Sequence, residues 1–407
     1  MQKILLGFLF FSTLLFNFSA HAIEQKPVVL ISIDGFARNY LDQYPTKNLH
    51  KLMKMGLTAD ALLPVFPSKT FPNHLSIITG VYPAKHGIIH NSFYNRDLKE
   101  RYSLGDGRKN SAWLTAKPLW VIAEQNNIKS AVYFWPESEA KVQGVLPSYN
   151  FPYNKSTPNI DRVNQIITWL KLPQVERPKF IAGYFSIVDT AGHHYGRNSP
   201  ELAHAVKEAD DLIGILVSRI TKELKNNVNL IIVSDHGMVQ LNKKSIINWQ
   251  IDLLKDKDVK VINGQTQLLI YSKNKPLLTQ LEIEYKQISQ GKYEVYNSDN
   301  FPTSWHWQKE NVSIPDLILD ANIPYVFKSI KSYSSKATHG FDATKAKNLN
   351  AIFIANGSSF KPNTTIKAFE NVNIAPLVLH LLNIPPPNVM DGSYRLFAPF
   401  LIEKINE

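Results

Sequence analysis

The sequence predicts an α/β protein with a mostly parallel central sheet, and two patterns support this prediction. The first is a series of short, uniformly apolar runs, which are typical of strands buried on both faces. These runs are Val28–Ile33, Ser130–Trp135, Phe180–Val188, Leu230–Val233 and Ala351–Ala355. The second pattern is helical spacing of apolar residues in the intervening stretches, such as Asn159–Leu170 and Ser199–Leu224. Alternating strands and helices indicate a layered α/β domain.

The chain begins with the pattern of a secretory signal peptide. Lys3 is followed by the apolar run Ile4–Phe16 and then by Ser19-Ala20-His21-Ala22, which predicts cleavage after Ala22. An uncleaved anchor is the alternative, although the run is shorter than the roughly 20 residues that span a bilayer. No later segment contains a long apolar run. We therefore expect an exported protein, periplasmic or secreted, without a stable membrane span.

Composition limits the chemistry that this chain can perform. Its 407 residues include 45 Lys+Arg, 34 Asp+Glu and no cysteine, and the formal charge is +11. The lack of cysteine excludes disulfide scaffolds, thiolate metal sites and thiol nucleophiles. Any transition metal must therefore use imidazole and carboxylate ligands. The positive charge is not accompanied by a nucleic-acid-binding motif, so we expect no dedicated nucleic-acid partner.

The segment from residue 241 to about residue 336 differs from the rest of the chain. It is rich in lysine, it is interrupted by four prolines, and it carries Trp305 and Trp307. Because it is too apolar to remain extended, we interpret it as a smaller, cap-like subdomain that folds over the main sheet. The remainder of residues 23–407 is then one large catalytic domain.

Side chains that can bind metal ions cluster near the predicted strand ends, where open parallel sheets bind their ligands. They are Asp34 after the first strand, Asp189 and His193 after the third, Asp235 and His236 after the fourth, and His339 before the fifth. Taken alone, each of these residues more often belongs to a turn, caps a helix or is a structural histidine than binds a metal ion. Three Asp and three His at one sheet edge exceed the needs of one tetrahedral zinc and suit two ions that share a substrate.

A threonine is placed where it can act on an anion. In Phe66-Pro-Ser-Lys-Thr-Phe-Pro-Asn-His74, Pro72 suits the first turn of a helix that continues through Thr79. Thr70 then lies at the helix N-terminus, where free N–H groups and the helix dipole favour negative charge. Thr70 is either a simple cap or a nucleophile whose hydroxyl is activated by a metal ion.

These motifs resemble the nucleotide pyrophosphatase/phosphodiesterase family of the alkaline phosphatase superfamily. The matching segments are Ile31-Ser-Ile-Asp-Gly-Phe36, Pro64-Val-Phe-Pro-Ser-Lys-Thr-Phe-Pro-Asn-His74, Thr79-Gly-Val-Tyr-Pro83, His86-Gly-Ile-Ile-His-Asn91, Val188-Asp-Thr-Ala-Gly-His193, Ser234-Asp-His-Gly-Met238 and Thr338-His-Gly-Phe341. The resemblance implies an alkaline-phosphatase-like, three-layer α/β/α fold. It also implies metal-dependent hydrolysis of phosphodiester or pyrophosphate bonds in small-molecule nucleotides, with release of nucleoside monophosphates.

The resemblance further implies a role for each matching residue. Two Zn²⁺ ions are expected, one held by Asp34, Thr70, Asp235 and His236 and the other by Asp189, His193 and His339. Thr70 is the expected nucleophile, and a phosphothreonine diester is the expected intermediate. The Asn91 side chain and the Phe71 backbone N–H are expected to donate to phosphate oxygens. Phe71 and Tyr153 match aromatic residues that clamp a nucleotide base, although Tyr153 rests mainly on its distance from Asp189.

Other functions remain open from the sequence. The same two-zinc core would serve a diesterase acting on glycerophosphocholine or lysophospholipids, for which Trp135, Glu137 and Tyr184 are candidate choline contacts. A phosphate monoesterase is a third reading, but such enzymes usually add an Arg or Lys clamp, and Lys69 also stands in the diesterase motif. A non-catalytic binding protein is disfavoured because no ligand position is lost. The sequence does not predict the oligomeric state.

Overall fold

A computed structural model describes residues 25–225, 227–249, 259–328 and 335–402. The predicted signal peptide, residues 1–22, lies outside these described residues, and its cleavage stays a prediction. Parts of the predicted insertion, residues 250–258 and 329–334, also lie outside them. Among the described helices, none is both long and apolar enough to cross a membrane.

The strands of the described chain are short, most of them two to six residues. They are β1 Val28–Ile33, β2 Leu57–Ala59, β3 Leu62–Leu63, β4 Phe93–Asn95, β5 Glu100–Tyr102, β6 Ser130–Tyr133, β7 Tyr149–Phe151, β8 Phe180–Phe185, β9 Asn229–Val233, β10 Val239–Gln240, β11 Ile246–Ile247, β12 Val259–Asn263, β13 Gln267–Ser272, β14 Tyr293–Asn297, β15 Leu317–Ala321, β16 Val326–Phe327, β17 Ala337–Thr338, β18 Phe353–Asn356, β19 Thr364–Ile366 and β20 Phe369–Glu370.

The α-helices vary from single turns to one helix of 25 residues. They are α1 Tyr40–Gln43, α2 Lys47–Met55, α3 Thr70–Thr79, α4 Pro83–His86, α5 Leu119–Gln125, α6 Asn159–Leu170, α7 Ile187–Tyr195, α8 Pro200–Leu224, α9 Lys275–Ile288 and α10 Ile374–Leu381.

The central sheet has eight strands in the order β19-β2-β18-β9-β1-β8-β6-β7. Every neighbouring pair is parallel except those of β18, which runs antiparallel to both β9 and β2. Side chains of β1 alternate between the two faces: Val28 and Leu30 pack into one apolar cluster, and Val29 and Ile31 into the other. Helices α3, α5 and α10 cover the first face, and α2, α6, α7 and α8 cover the second. The predicted α/β/α fold is confirmed.

The sequence located most of these elements, with corrections to several strand bounds and to one strand direction. The predicted strands Ser130–Trp135 and Ala351–Ala355 are observed as Ser130–Tyr133 and Phe353–Asn356. β1 and α6 have the predicted bounds, and Ser199 caps α8 by accepting from the Leu202 N–H at 3.1 Å. The predicted strand Phe180–Val188 is wrong at its end, because β8 stops at Phe185 and α7 begins at Ile187. The apolar run continues across this boundary since α7 also turns Val188 towards the core. The fifth predicted strand, β18, is antiparallel, which its apolar run did not indicate.

A second, smaller sheet lies within the segment predicted as an insertion. Its four antiparallel strands have the order β12-β13-β15-β14, and α9 packs beside them. Leu268, Ile270, Leu317 and Leu319 form part of its own apolar cluster, to which Tyr285 of α9 contributes. The tight turn from β12 to β13, residues 263–267, lies beside His193 and His339 at the edge of the larger sheet.

Candidate functional site

The predicted metal-type residues meet at the carboxyl ends of three adjacent strands. Asp34 directly follows β1, and Asp235 follows β9 after a single serine. Asp189 and His193 lie one helical turn apart on α7, which follows β8. Because β8, β1 and β9 are neighbours in the sheet, these side chains converge at one edge. His339 reaches the same place from the loop after β17, which pairs with β10 rather than with the central sheet.

Thr70 is the first residue of α3, as the motif predicted, and Lys69 is the preceding cap residue. The loop before it is held by Asn73, whose side-chain N–H donates to Lys69 O at 2.8 Å and to Pro67 O at 3.0 Å. The Asn73 side-chain oxygen accepts from the Val65 N–H at 2.8 Å. The buried amide of Asn73 therefore fixes the approach to the helix, and with it the position of the Thr70 hydroxyl.

The first cluster is built around His236. Its Nε2 lies 3.0 Å from Asp235 Oδ2, 3.5 Å from Asp34 Oδ1 and 3.4 Å from the Thr70 hydroxyl oxygen. The Asp34, Asp235 and His236 side chains are almost completely buried. These are the four residues that the resemblance assigned to one ion.

The second cluster contains the other three predicted ligands. His193 Nε2 lies 3.3 Å from Asp189 Oδ1 and 3.2 Å from His339 Nε2, and His339 Nε2 lies 3.6 Å from the same Asp189 oxygen. The rings of His236 and His339 stack with centroids 3.6 Å apart, so the two clusters adjoin. Potential ligand atoms of Asp189, His236 and His339 also lie within 4.8 Å of one another.

The side chains of both clusters fit metal ions. One oxygen on each of three aspartates, Asp34 Oδ1, Asp189 Oδ1 and Asp235 Oδ2, is buried without a hydrogen-bond partner. Unpaired buried carboxylate oxygens are costly unless a cation offsets them. Burial, and then the charges of Asp235 and Asp189, raise the pKa of Asp34 well above its usual value. A divalent cation between these carboxylates would remove both the desolvation cost and the repulsion.

The three histidines are oriented as ligands. Nδ1 of His193 lies 2.9 Å from Ala337 O, that of His236 lies 3.0 Å from Gly237 O, and that of His339 lies 2.8 Å from Ser68 O. A carbonyl only accepts, so each Nδ1 carries the proton and each Nε2 keeps its lone pair. These Nε2 atoms are the ones that face the aspartates. Backbone carbonyls behind ligating histidines are the usual way in which proteins fix this tautomer.

Two residues that support the aspartates were not assigned from the sequence. Tyr184 donates its hydroxyl to Asp34 Oδ2 at 2.5 Å. His74 Nδ1 lies 2.9 Å from Thr70 O and 3.3 Å from Asp235 Oδ2, and its Nε2 lies 2.8 Å from Ser32 Oγ. His74 stood in the motif beside Thr70 without a role, whereas Tyr184 was considered only as a contact for choline. In the sheet, Tyr184 pairs in register with Ser32, two residues before Asp34.

Asn91 and the Phe71 backbone N–H, both predicted to donate to phosphate oxygens, are hydrogen-bonded to each other. The Phe71 backbone N–H donates to Asn91 Oδ1 at 3.1 Å, so it is not a free donor for phosphate. The bond instead turns the Asn91 amide so that its N–H₂ group is the available donor. The prediction treated the two groups as parallel donors, because the sequence does not show that one of them would satisfy the other.

A cavity of about 420 Å³, called here the first cavity, opens onto this centre. Asp34, Asp189 and Thr70 of the two clusters line this cavity, and both predicted base-clamping residues, Phe71 and Tyr153, line it as well. Tyr153 is half-exposed, and its backbone N–H donates to Glu139 Oε1 at 3.0 Å. The structure therefore brings Phe71 and Tyr153 to the same cavity as the nucleophile candidate.

Comparisons with known proteins agree with this geometry. The model of the type I phosphodiesterase / nucleotide pyrophosphatase family matches residues 28–342. A venom phosphodiesterase of Naja atra is 35% identical over 379 residues, which cover 90% of this chain and 45% of that protein. Ectonucleotide pyrophosphatase/phosphodiesterase family member 3 of Bos taurus is 34% identical over 379 residues, which cover 90% of this chain and 43% of that protein. This chain thus spans less than half the length of these curated relatives.

Solved structures of proteins with similar names resemble this chain along their whole length. Human ectonucleotide pyrophosphatase/phosphodiesterase 5 has a TM-score of 0.85 at 30% identity, with 93% of this chain and 100% of that chain covered. An inactive variant of the murine protein in complex with AMP has a TM-score of 0.84 at 29% identity and the same coverage.

Proposed function

The chain belongs to the type I phosphodiesterase / nucleotide pyrophosphatase family, and on that premise we propose that it hydrolyses phosphodiester and pyrophosphate bonds of small-molecule nucleotides. The observation that carries the proposal is the position of Thr70. Its hydroxyl lies 3.4 Å from His236 Nε2, and Thr70 lines the same cavity as Phe71 and Tyr153. A phosphate beside Thr70 would have a nucleophile next to it and an aromatic cavity for its nucleoside. The AMP complex of the murine relative supports the same substrate class.

Two Zn²⁺ ions suit the ligand set, because imidazole and carboxylate are ligands that zinc prefers. Asp34, Thr70, Asp235 and His236 would hold one ion, and Asp189, His193 and His339 would hold the other. When bound, the two ions would supply the positive charge that favours an ionised Thr70 hydroxyl and offsets charge on the leaving oxygen. The histidine tautomers and the three unpartnered aspartate oxygens support this assignment.

Thr70 then acts as the nucleophile in a two-step transfer. Its oxygen attacks phosphorus, the bond from phosphorus to the leaving oxygen breaks, and the nucleoside monophosphate is left esterified to Thr70. Water then attacks the same phosphorus, the bond to Thr70 breaks, and the nucleoside monophosphate is released. Asn91 would donate its side-chain N–H to a phosphate oxygen in both steps, held in that orientation by the Phe71 N–H.

The cellular setting that fits this enzyme is outside the cytoplasm. The N-terminal pattern supports a cleaved signal peptide of residues 1–22 and an exported protein, periplasmic or secreted. Residues 23–407 would then form one catalytic domain. Within it, the small sheet and α9 support an inserted subdomain at about residues 241–336.

A substrate panel tests this function. The purified protein, loaded with zinc, is assayed with ATP, a dinucleoside polyphosphate, NAD, a cyclic dinucleotide, a nitrophenyl monoester and glycerophosphocholine, with and without a chelator. We expect the nucleotides to yield nucleoside monophosphates, and we expect chelation to abolish turnover until zinc is restored. Activity that survives exhaustive chelation, or faster turnover of the monoester than of any diester, would contradict the proposal.

Glycerophosphocholine is included because one observation favours a choline-type substrate. The first cavity is lined by the carboxylates Glu137 and Glu139 as well as by aromatic rings, which is the composition of a site for quaternary ammonium groups. Three of their four oxygens already have partners, however, and Glu137 Oε2 is buried without one. Glu137 accepts from the Tyr102 hydroxyl, and Glu139 accepts from the Tyr153 N–H and pairs with Arg108 at 3.4 Å. The nucleotide therefore remains the better-supported substrate.

A further inference from the structure

A second cavity, of about 280 Å³, adjoins the catalytic centre. His193, His339 and Asn91 of the centre line one part of it. Asn263, Gly264 and Gln265, from the turn between β12 and β13, line another part. The smaller sheet therefore contributes a wall directly beside the second cluster of candidate metal ligands.

The lining of the second cavity is polar and carries no negative charge. Among the described lining residues there is a lysine, there are three histidines, and there is neither a carboxylate nor a large aliphatic or phenyl side chain. Lys69 is buried in its wall and donates from Nζ to His339 O at 3.0 Å. The side-chain amide of Gln265 makes no hydrogen bond to the described part of the chain, and it is half-buried at the cavity.

The turn that forms this wall is fixed to the catalytic loops. Gly264 packs against the His90 ring, so closely that a Cβ at this position would come within 2.2 Å of His90 Cε1. Gln267 donates its side-chain N–H to Gly340 O at 2.8 Å, next to His339 in the sequence. The backbone carbonyl of Gln265 accepts from the Phe327 backbone N–H at 2.7 Å. The wall is therefore pre-formed, and its polar groups need little ordering when a ligand binds.

We propose that the second cavity binds the leaving group and favours leaving groups that carry phosphate. This inference rests on the proposed function, in which Thr70 attacks phosphorus and the leaving oxygen departs on the opposite side, in line. His193 and His339, candidate metal ligands of the second cluster, line this cavity, and an ion held by them would offset negative charge on a leaving oxygen placed there. A lysine, side-chain amides and the absence of carboxylates suit the oxygens of a pyrophosphate or of a second nucleotide. An acyl chain would find no apolar wall there.

Gln265 provides the test, because Glu gives its side chain a negative charge with the same shape and Lys gives it a positive charge on a side chain one atom longer. The purified zinc enzyme and its Gln265→Glu and Gln265→Lys variants are assayed with TTP and with the p-nitrophenyl ester of TMP. Both substrates share the thymidine monophosphate half, but only TTP has a charged, phosphate-bearing leaving group. A dithymidine polyphosphate provides a third arm, which distinguishes a pyrophosphate leaving group from a nucleotide leaving group.

We expect the ratio of kcat/KM for TTP to that for the nitrophenyl ester to fall about tenfold with Glu and to rise with Lys, because like charges repel in a partly desolvated cavity. Gln308→Glu, an exposed change of the same charge outside both cavities, should leave the ratio unaltered. In a Thr70→Ala background, calorimetry should show that Gln265→Glu weakens TTP binding more than TMP binding.

The outcomes separate this inference from the function on which it rests. If the parent enzyme hydrolyses neither substrate, the proposed function fails. If it hydrolyses both and the ratio is the same in the Glu and Lys variants, the function stands and the leaving-group site is wrong. Opposite effects of Glu and Lys would not arise from misfolding, which would lower both activities together.

Discussion

The two cavities meet the same catalytic centre but differ in chemistry. The first is larger, about 420 Å³ against about 280 Å³, and it is lined by the rings of Phe71, Tyr153 and Trp135 together with several carboxylates. The second has polar and basic side chains and no carboxylate among its described lining residues. Under the proposed function, the candidate metal ligands act on the bond that is broken, and the two cavities hold the groups on either side of that bond. We therefore expect substrate choice to depend on the walls of the two cavities rather than on the two ligand clusters.

The largest expected effect comes from Thr70, which the proposed function requires for any substrate. Thr70→Ala should lower turnover by a factor of at least about 1000, equally for TTP and for the nitrophenyl ester, because both require the same nucleophile. Bound zinc, measured by mass spectrometry, should remain at two per chain, since six other ligands are unchanged. Thr70→Ser, which keeps a hydroxyl, is the matched control. Near-normal turnover of Thr70→Ala would eliminate the nucleophile assignment.

A smaller but still large effect is expected at Asn91, which lines the second cavity although its proposed role is at the transferred phosphate. Asn91→Ala should reduce kcat by about a hundredfold, as is typical for the loss of an oxyanion donor. Asn91→Asp can still accept from the Phe71 N–H but cannot donate, so it should be at least equally impaired. A loss confined to TTP would instead assign Asn91 to the leaving group and sharpen the boundary between the two cavities.

The smallest effect is expected in the first cavity. Phe71→Ala and Tyr153→Ala should each raise KM for nucleotides about tenfold, because stacking of a base on an aromatic ring contributes about 1–3 kcal/mol. The same variants should change the hydrolysis of bis(p-nitrophenyl) phosphate, which has no nucleoside, much less. Tyr394→Ala is the control, because it removes a ring that stacks on His380 and lines neither cavity. Equal losses for both substrates would contradict a base-binding role for this cavity.

The sequence predicted the fold from local patterns, and it predicted the two groups of candidate ligands from the resemblance of its motifs to a known family. Apolar runs mark buried strands, and β1 and α6 were located to the residue. Polar residues after such strands must meet when the strands are neighbours. The end of β8 was missed because an apolar run does not change character where a strand gives way to a buried helix face.

Features that depend on contacts between distant segments were not predictable from one sequence. The support of Asp34 by Tyr184 depends on the pairing of β1 with β8, and the use of the Phe71 N–H by Asn91 depends on the course of the intervening loop. The turn at Asn263–Gln265 shows only polar residues and a glycine, which is common to most turns. Its position beside His339 appears only when the smaller sheet is placed against the larger one.

Pairs of candidate metal ligands also differ in how many inserted or deleted residues they tolerate between them. Asp189 and His193 are four residues apart on α7, so the pitch of the helix acts as a ruler between them. One inserted residue would rotate His193 by about 100° around the helix axis and remove it from the cluster. His236 and His339, in contrast, are separated by about a hundred residues and meet through loops. We therefore expect a change of length in the segment between them, which includes the wall of the second cavity, to disturb the candidate metal site less than one inserted residue in α7 would.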